Sequence, residues 1–158
     1  AYSVAKTVGG VAAVGDGVSG TNSKEYQAYQ QGGVPSLESY LLAKNAIDVA
    51  GDGSDESLKK ADKTKVLLNQ NMSGEELYNS YMLLYPKDEK LPTIYSQYGA
   101  DAAKNWLRYS SAADLDGNGS ISQDEAQATL DKMNLTDQLK AAYWQMTNKS
   151  WKAKKNPY

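Results

Sequence analysis

The sequence contains no cysteine, no histidine and no phenylalanine among its 158 residues. Because thiolate and imidazole ligands are absent, the usual structural zinc, iron–sulfur and blue-copper sites are excluded, and hard oxygen ligands remain. The same absences exclude Cys–His and Ser–His–Asp nucleophilic catalysis, so any acid–base chemistry would depend on carboxylates, lysine or tyrosine. We therefore expect that the protein is not an enzyme.

Long apolar runs and a strong net charge are also missing. The longest apolar candidate, Val4 to Val14, is interrupted by glycine and falls short of the roughly 18 residues that cross a bilayer. The net charge of −2 does not favour nucleic acid or an anionic membrane as a partner. The chain begins at Ala1 and not at Met, so we expect a processed chain or a fragment. Localisation stays open, with a virion or the extracellular space among the settings that suit a disulfide-free fold.

The composition changes near residue 23. Residues 1–23 are rich in Gly, Ala, Val and Ser without helical or alternating periodicity, which indicates a flexible arm or linker. From there on Ala, Leu, Lys, Glu and Gln fill the segments between glycines, and β-branched residues are sparse. The sequence predicts an all-α fold, with residues 24–158 forming one globular domain.

An internal repeat divides this domain. A shift of 66 residues lays Asp48–Ser54 on Asp114–Ser120, and beyond these loops a shift of 63 lays Met72–Ser73 on Leu135–Thr136. We therefore predict two related repeats, 24–90 and 91–158, each with a helix, an acidic loop, a helix and one additional helix.

Capping residues set the predicted helix starts. In the first repeat, Ser36 is predicted to cap a helix that carries Leu37, Tyr40, Leu41 and Ile47 on one face. Ser73 and Glu76 have the spacing of a capping box at the start of the additional helix. In the second repeat, Asp101 and Thr136 are predicted to cap helices, and a further helix is predicted to follow Ser122.

The segment from Asp114 to Glu125 has oxygen-bearing side chains at the spacing of a twelve-residue calcium loop. Side chains on alternate residues converge on one side of a tight turn, and Gly119 supplies the positive φ that this turn needs. Ser120 offers its carbonyl, Ser122 a bridging water, and Glu125 both carboxylate oxygens. The sequence predicts a Ca²⁺ site at Asp114, Asp116, Asn118, Ser120, Ser122 and Glu125.

This loop and its flanking helices, from about Trp106 to Met133, resemble the EF-hand family. The resemblance implies a helix–loop–helix fold that binds calcium. Paired loops of that family form a short β-bridge at the place of Ile121, but Asp55 replaces the apolar partner residue in the first loop, which does not favour the bridge here.

The corresponding loop of the first repeat departs from this pattern. It keeps Asp48, Asp52 and the Ser54 carbonyl, but Ala50 removes one ligand and Lys59 replaces the bidentate glutamate. An ammonium group at that place would partly neutralise the two aspartates. We expect a degenerate hand that is kept for packing, with residual or no calcium binding.

The C-terminal segment, residues 148–158, is basic and carries interleaved aromatic residues. Such a segment can contact phosphate groups or an acidic surface, but a short terminal run is typically a solvated tail. A nucleic-acid partner is therefore not expected. The segment also resembles the carboxyl end of virion-associated proteins of bacterial viruses, which implies a protein partner within a larger assembly.

Together these features predict a calcium-binding structural or protein-interaction module, in which calcium stabilises the folded state. One alternative is a calcium sensor that exposes an apolar groove for a target helix. A more distant alternative is a cell-wall-acting enzyme with a calcium-stabilised fold.

Overall fold

The computed structural model describes residues 7–8, 10–11, 23–50, 60–113 and 120–158. The fold is all-α, which confirms the prediction from composition. Two short strands, β1 (Thr7–Val8) and β2 (Gly10–Val11), pair in parallel, and most of the predicted arm lies outside the described residues. The helices of the described residues are α1 (Lys24–Ala50), α2 (Lys60–Leu68), α3 (Gly74–Leu84), α4 (Lys90–Tyr98), α5 (Ala100–Ala113), α6 (Gln123–Lys132), α7 (Asp137–Thr147) and a 3₁₀ helix (Ala153–Lys155).

Two glycines with positive φ mark changes of helix direction. Helix α1 is kinked at Gly32 and Gly33, where the φ of Gly33 is 73°. Gly99 has a φ of 95° and separates α4 from α5. Glycine adopts these angles without the steric cost that a Cβ would impose, so a new helical segment can begin at once.

Because a helix begins directly after each of these glycines, two predicted helix caps are wrong. Ser36 lies inside α1, and Asp101 lies in the first turn of α5, which already begins at Ala100. The glycine junction therefore places the helix start upstream of both residues.

The helix bounds repeat along the chain. Helices α1 and α4 begin 66 residues apart, and so do the junction glycines Gly33 and Gly99. Helices α2 and α6 begin 63 residues apart, and α3 and α7 are both 11 residues long with starts that differ by 63. Each repeat thus also contains a helical segment before its helix–loop–helix unit, and this segment was not predicted from the sequence.

Local capping was predicted correctly at α3 and α7. Ser73 Oγ accepts a hydrogen bond from the Glu76 N–H at 3.2 Å, and Glu76 Oε1 accepts one from the Ser73 N–H at 2.9 Å. The bond from the Ser73 backbone holds the pKa of the Glu76 carboxyl below its ordinary value. At α7, Thr136 Oγ1 accepts from the Leu139 N–H at 3.2 Å.

Helix α5 lies at the centre of the fold and contacts α2, α3, α4, α6 and α7. Its Trp106 and Tyr109 pack with Tyr143 of α7 in an aromatic cluster, with ring centroids 5.3 to 5.9 Å apart. On α1, Leu37, Tyr40 and Ile47 are buried as predicted, whereas Leu41 is 42% exposed and was wrongly placed on that face. None of the described helices has both the length and the apolar character needed to cross a bilayer.

Candidate metal centre

The predicted calcium loop joins the end of α5 at Ala113 to the start of α6 at Gln123. Residues 114–119 lie outside the described residues, and with them the predicted ligands Asp114, Asp116 and Asn118. The structure does describe the other three predicted ligands, which are Ser120, Ser122 and Glu125.

Ser122 and Glu125 form a capping box at the start of α6. Ser122 Oγ accepts the Glu125 N–H at 3.1 Å, and Glu125 Oε1 accepts the Ser122 N–H at 2.8 Å. The carboxylate is thereby held beside the positive end of the helix dipole. Ser122 was predicted to hold a bridging water, and this cap was not predicted, although the Ser-x-x-Glu spacing is its signal.

The described part of the loop offers oxygen ligands of the kind that Ca²⁺ prefers. Each oxygen of an ionised carboxylate can accept more than one partner, so the bond from Ser122 leaves acceptor capacity on Glu125. Ser120 and Ser122 are exposed and Glu125 is half-buried, so solvent reaches this end of the loop. The described ranges contain no cluster of three or more acidic side chains suited to a metal, so a complete site requires residues 114–119.

Both ends of the loop are attached to the core. Ala113 and Ala126 are fully buried, and Ile121 packs against the main cluster of core residues. The ends of α5 and α6 therefore hold the loop between two fixed points.

In the first loop the structure describes Asp48, which is half-buried in the last turn of α1. Burial, together with the charges of Glu25 and Asp48, raises the pKa of Tyr40 to about 12. Asp52, Ser54 and Lys59 lie outside the described residues, so the degenerate first hand stays a prediction. Asp55, which corresponds to Ile121 and does not favour the usual β-bridge between paired loops, also lies outside the described residues.

The C-terminal segment packs along α6 and α7, so its interpretation as a solvated tail is wrong for its aromatic residues. The ring centroids of Trp151 and Trp144 are 4.8 Å apart, and Gln145 Nε2 donates to the Trp151 carbonyl at 2.7 Å. Asn156 Nδ2 donates to the Ala141 carbonyl at 2.8 Å, and Tyr158 OH donates to Asp131 Oδ1 at 2.6 Å. The lysines of the segment remain exposed: Lys149, Lys152, Lys154 and Lys155.

The fold and the site together define an all-α protein that carries an acidic, oxygen-rich loop between two packed helices. The chain matches no protein-family model, no curated protein and no solved structure. Its resemblance to the EF-hand family therefore depends on the loop residues and their helical setting.

Proposed function

We propose that the loop from Asp114 to Glu125 binds one Ca²⁺ ion, which stabilises the junction between α5 and α6. The observation that carries this proposal is the placement of Glu125, which Ser122 holds on the first turn of α6 at the end of the loop. Asp114, Asp116, Asn118, the Ser120 carbonyl and Glu125 would hold the ion. Its positive charge would offset the three carboxylates, and binding to the folded state alone raises stability.

The packing around α5 supports a structural role for calcium. A calcium sensor must open its helices to expose an apolar groove. Here the additional helices occupy the surfaces that such a groove would use, because Leu77 and Tyr81 of α3 and Tyr143 and Trp144 of α7 are buried. Opening the fold would expose these large side chains to water, which is unfavourable.

We further propose that this unit is a structural or protein-interaction module of a larger assembly. The resemblance of the C-terminal segment to virion-associated proteins favours a virion as that assembly. The exposed lysines on a segment anchored to α6 and α7 support a contact with an acidic protein surface.

Calorimetric titration of metal-stripped protein tests the calcium site, and we expect one dominant site. Glu125→Gln should weaken calcium binding by more than about tenfold, because a carboxamide has a single acceptor oxygen and no charge. Asp124→Asn is the matched control, since it removes the same charge from an exposed neighbour outside the predicted ligand set. Two equivalent sites, or equal effects of the two substitutions, would contradict the assignment.

A further inference from the structure

The second arm of α1, residues 34–50, has an apolar surface that faces solvent. Val34, Leu41, Leu42 and Val49 are 50%, 42%, 45% and 69% exposed, and we call them the outer stripe. At ~100° of rotation per residue, the four side chains fall within a sector of roughly 100°, opposite the buried face of the helix. Single exposed apolar residues are common on soluble proteins, but an aligned set of four indicates an interaction surface.

The internal repeat shows what covers the corresponding surface of α5. Leu107 corresponds to Leu41 at the 66-residue shift, yet it is only 2% exposed. Nearby, Lys104 Nζ donates to the Met72 carbonyl at 2.7 Å, so the turn between α2 and α3 lies against α5. The surface around Leu41 therefore has a buried counterpart in the second repeat, whereas Leu42 corresponds to Arg108, which is exposed.

In a head-to-tail stack, α7 of one copy would have to cover α1 of the next as α3 covers α5 within the chain, and this contact is disfavoured. The backbone of Gly74 lies so close to α5 that a Cβ there would be 2.7 Å from the Ala100 carbonyl oxygen. The residue that corresponds to Gly74 is Asp137, the first residue of α7, which has a side chain at this place. An equally close approach of α7 from another copy would therefore bring the Asp137 side chain against the backbone of α1.

The spacing of the outer stripe is symmetric and suits a second copy of α1. Val34 precedes Leu41 by seven residues, and Val49 follows Leu42 by seven. We propose that two copies of the chain associate through antiparallel α1 helices about a two-fold axis. Leu41 then packs on the partner's Leu42, and Val34 packs on the partner's Val49, which is the reciprocity that a two-fold interface requires.

The polar residues within the stripe are compatible with this arrangement. Glu38 and Asn45 are exposed between the apolar positions. The same two-fold axis places Glu38 beside the partner's Asn45, whose amide can donate to the carboxylate. One helix pair buries less than the ~800 Å² per partner of a standard interface, so we expect dissociation in the micromolar range or weaker.

Sedimentation analysis of the full chain, from about ten micromolar to about one millimolar, tests the association. We expect a concentration-dependent dimer, and Leu41→Glu should raise its dissociation constant by at least about tenfold, because it buries an unpaired charge. Ala128→Glu adds the same charge at an exposed position of α6 and should leave the dimer unchanged. A monomer at all concentrations, or equal effects of both substitutions, would overturn the proposal.

Because the chain has no cysteine, introduced cysteines can test the orientation. Val34 and Val49 lie about 22 Å apart along the helix, so they cannot be bridged within one chain, and a disulfide needs Cα atoms within ~7 Å. A mixture of Val34→Cys and Val49→Cys chains should form a cross-linked dimer under mild oxidation. Either variant alone should form little, and efficient cross-linking of Val34→Cys to itself would overturn the antiparallel arrangement.

Discussion

Thr147 connects two buried tyrosines in the core between α5 and α7. Its hydroxyl donates to the Tyr143 carbonyl at 2.7 Å, so it accepts at 2.5 Å from the Tyr109 hydroxyl. Burial raises the pKa of Tyr109 to about 12, which keeps the phenol protonated and able to donate. A further bond runs from Tyr143 OH to the Ala102 carbonyl at 2.5 Å. These bonds satisfy the buried hydroxyl groups of Tyr109, Tyr143 and Thr147.

We predict that Thr147→Val lowers the free energy of unfolding by about 1–3 kcal/mol, because it leaves the buried Tyr109 hydroxyl without an acceptor. Chemical denaturation with urea measures the difference. Tyr109→Phe removes the donor itself and leaves Thr147 bonded to Tyr143, so its cost should be smaller, about 1 kcal/mol. A Tyr109→Phe variant that is the less stable of the two would contradict this donor assignment.

At the scale of elements, the contact between α3 and α5 depends on the glycine at the start of α3. Gly74→Ala places a methyl group 2.7 Å from the Ala100 carbonyl oxygen, so one of the helices must shift. The higher helix propensity of alanine contributes at most ~1 kcal/mol, whereas overpacking costs ~1–3 kcal/mol. We therefore predict a net loss of stability of about 1–2 kcal/mol by thermal unfolding.

Asp137→Ala is the control for this substitution. Asp137 occupies the first position of α7, as Gly74 does in α3, but its side chain is exposed. Its replacement should change stability by less than about 1 kcal/mol through the helix dipole. Equal losses from the two variants would show that the close approach of α3 to α5 does not limit this position.

For the whole molecule, calcium should raise the melting temperature without opening the fold. Ligand that binds the folded state alone stabilises it by about 2.7 kcal/mol at a hundredfold excess over the dissociation constant. Binding of a hydrophobic dye should stay constant or fall, because α3 and α7 keep their large side chains buried. A strong calcium-dependent rise in dye binding would favour the sensor in place of the structural module.

Several features that depend on neighbours in the chain were predicted correctly from the sequence. The all-α class follows from helix-forming composition, and the caps at Ser73 and Thr136 follow from bonds that span three residues. The repeat was visible because its two halves keep similar residues at constant shifts. The calcium donor set from Asp114 to Glu125 is read from a pattern of twelve residues, and it stays a prediction because Asp114, Asp116 and Asn118 lie outside the described residues.

What depends on contacts between distant segments required the tertiary structure. Helical periodicity placed Leu41 on the buried face, but burial depends on which surfaces other helices cover, and here Leu107 is covered while Leu41 is not. The C-terminal segment likewise has the composition of a solvated tail, and only the structure shows that its aromatic residues contact Trp144 and Asp131. Composition and local spacing therefore determined the class of fold. Long-range packing decided which apolar residues form the core and which remain available to a partner, because each burial requires a surface supplied from elsewhere in the chain.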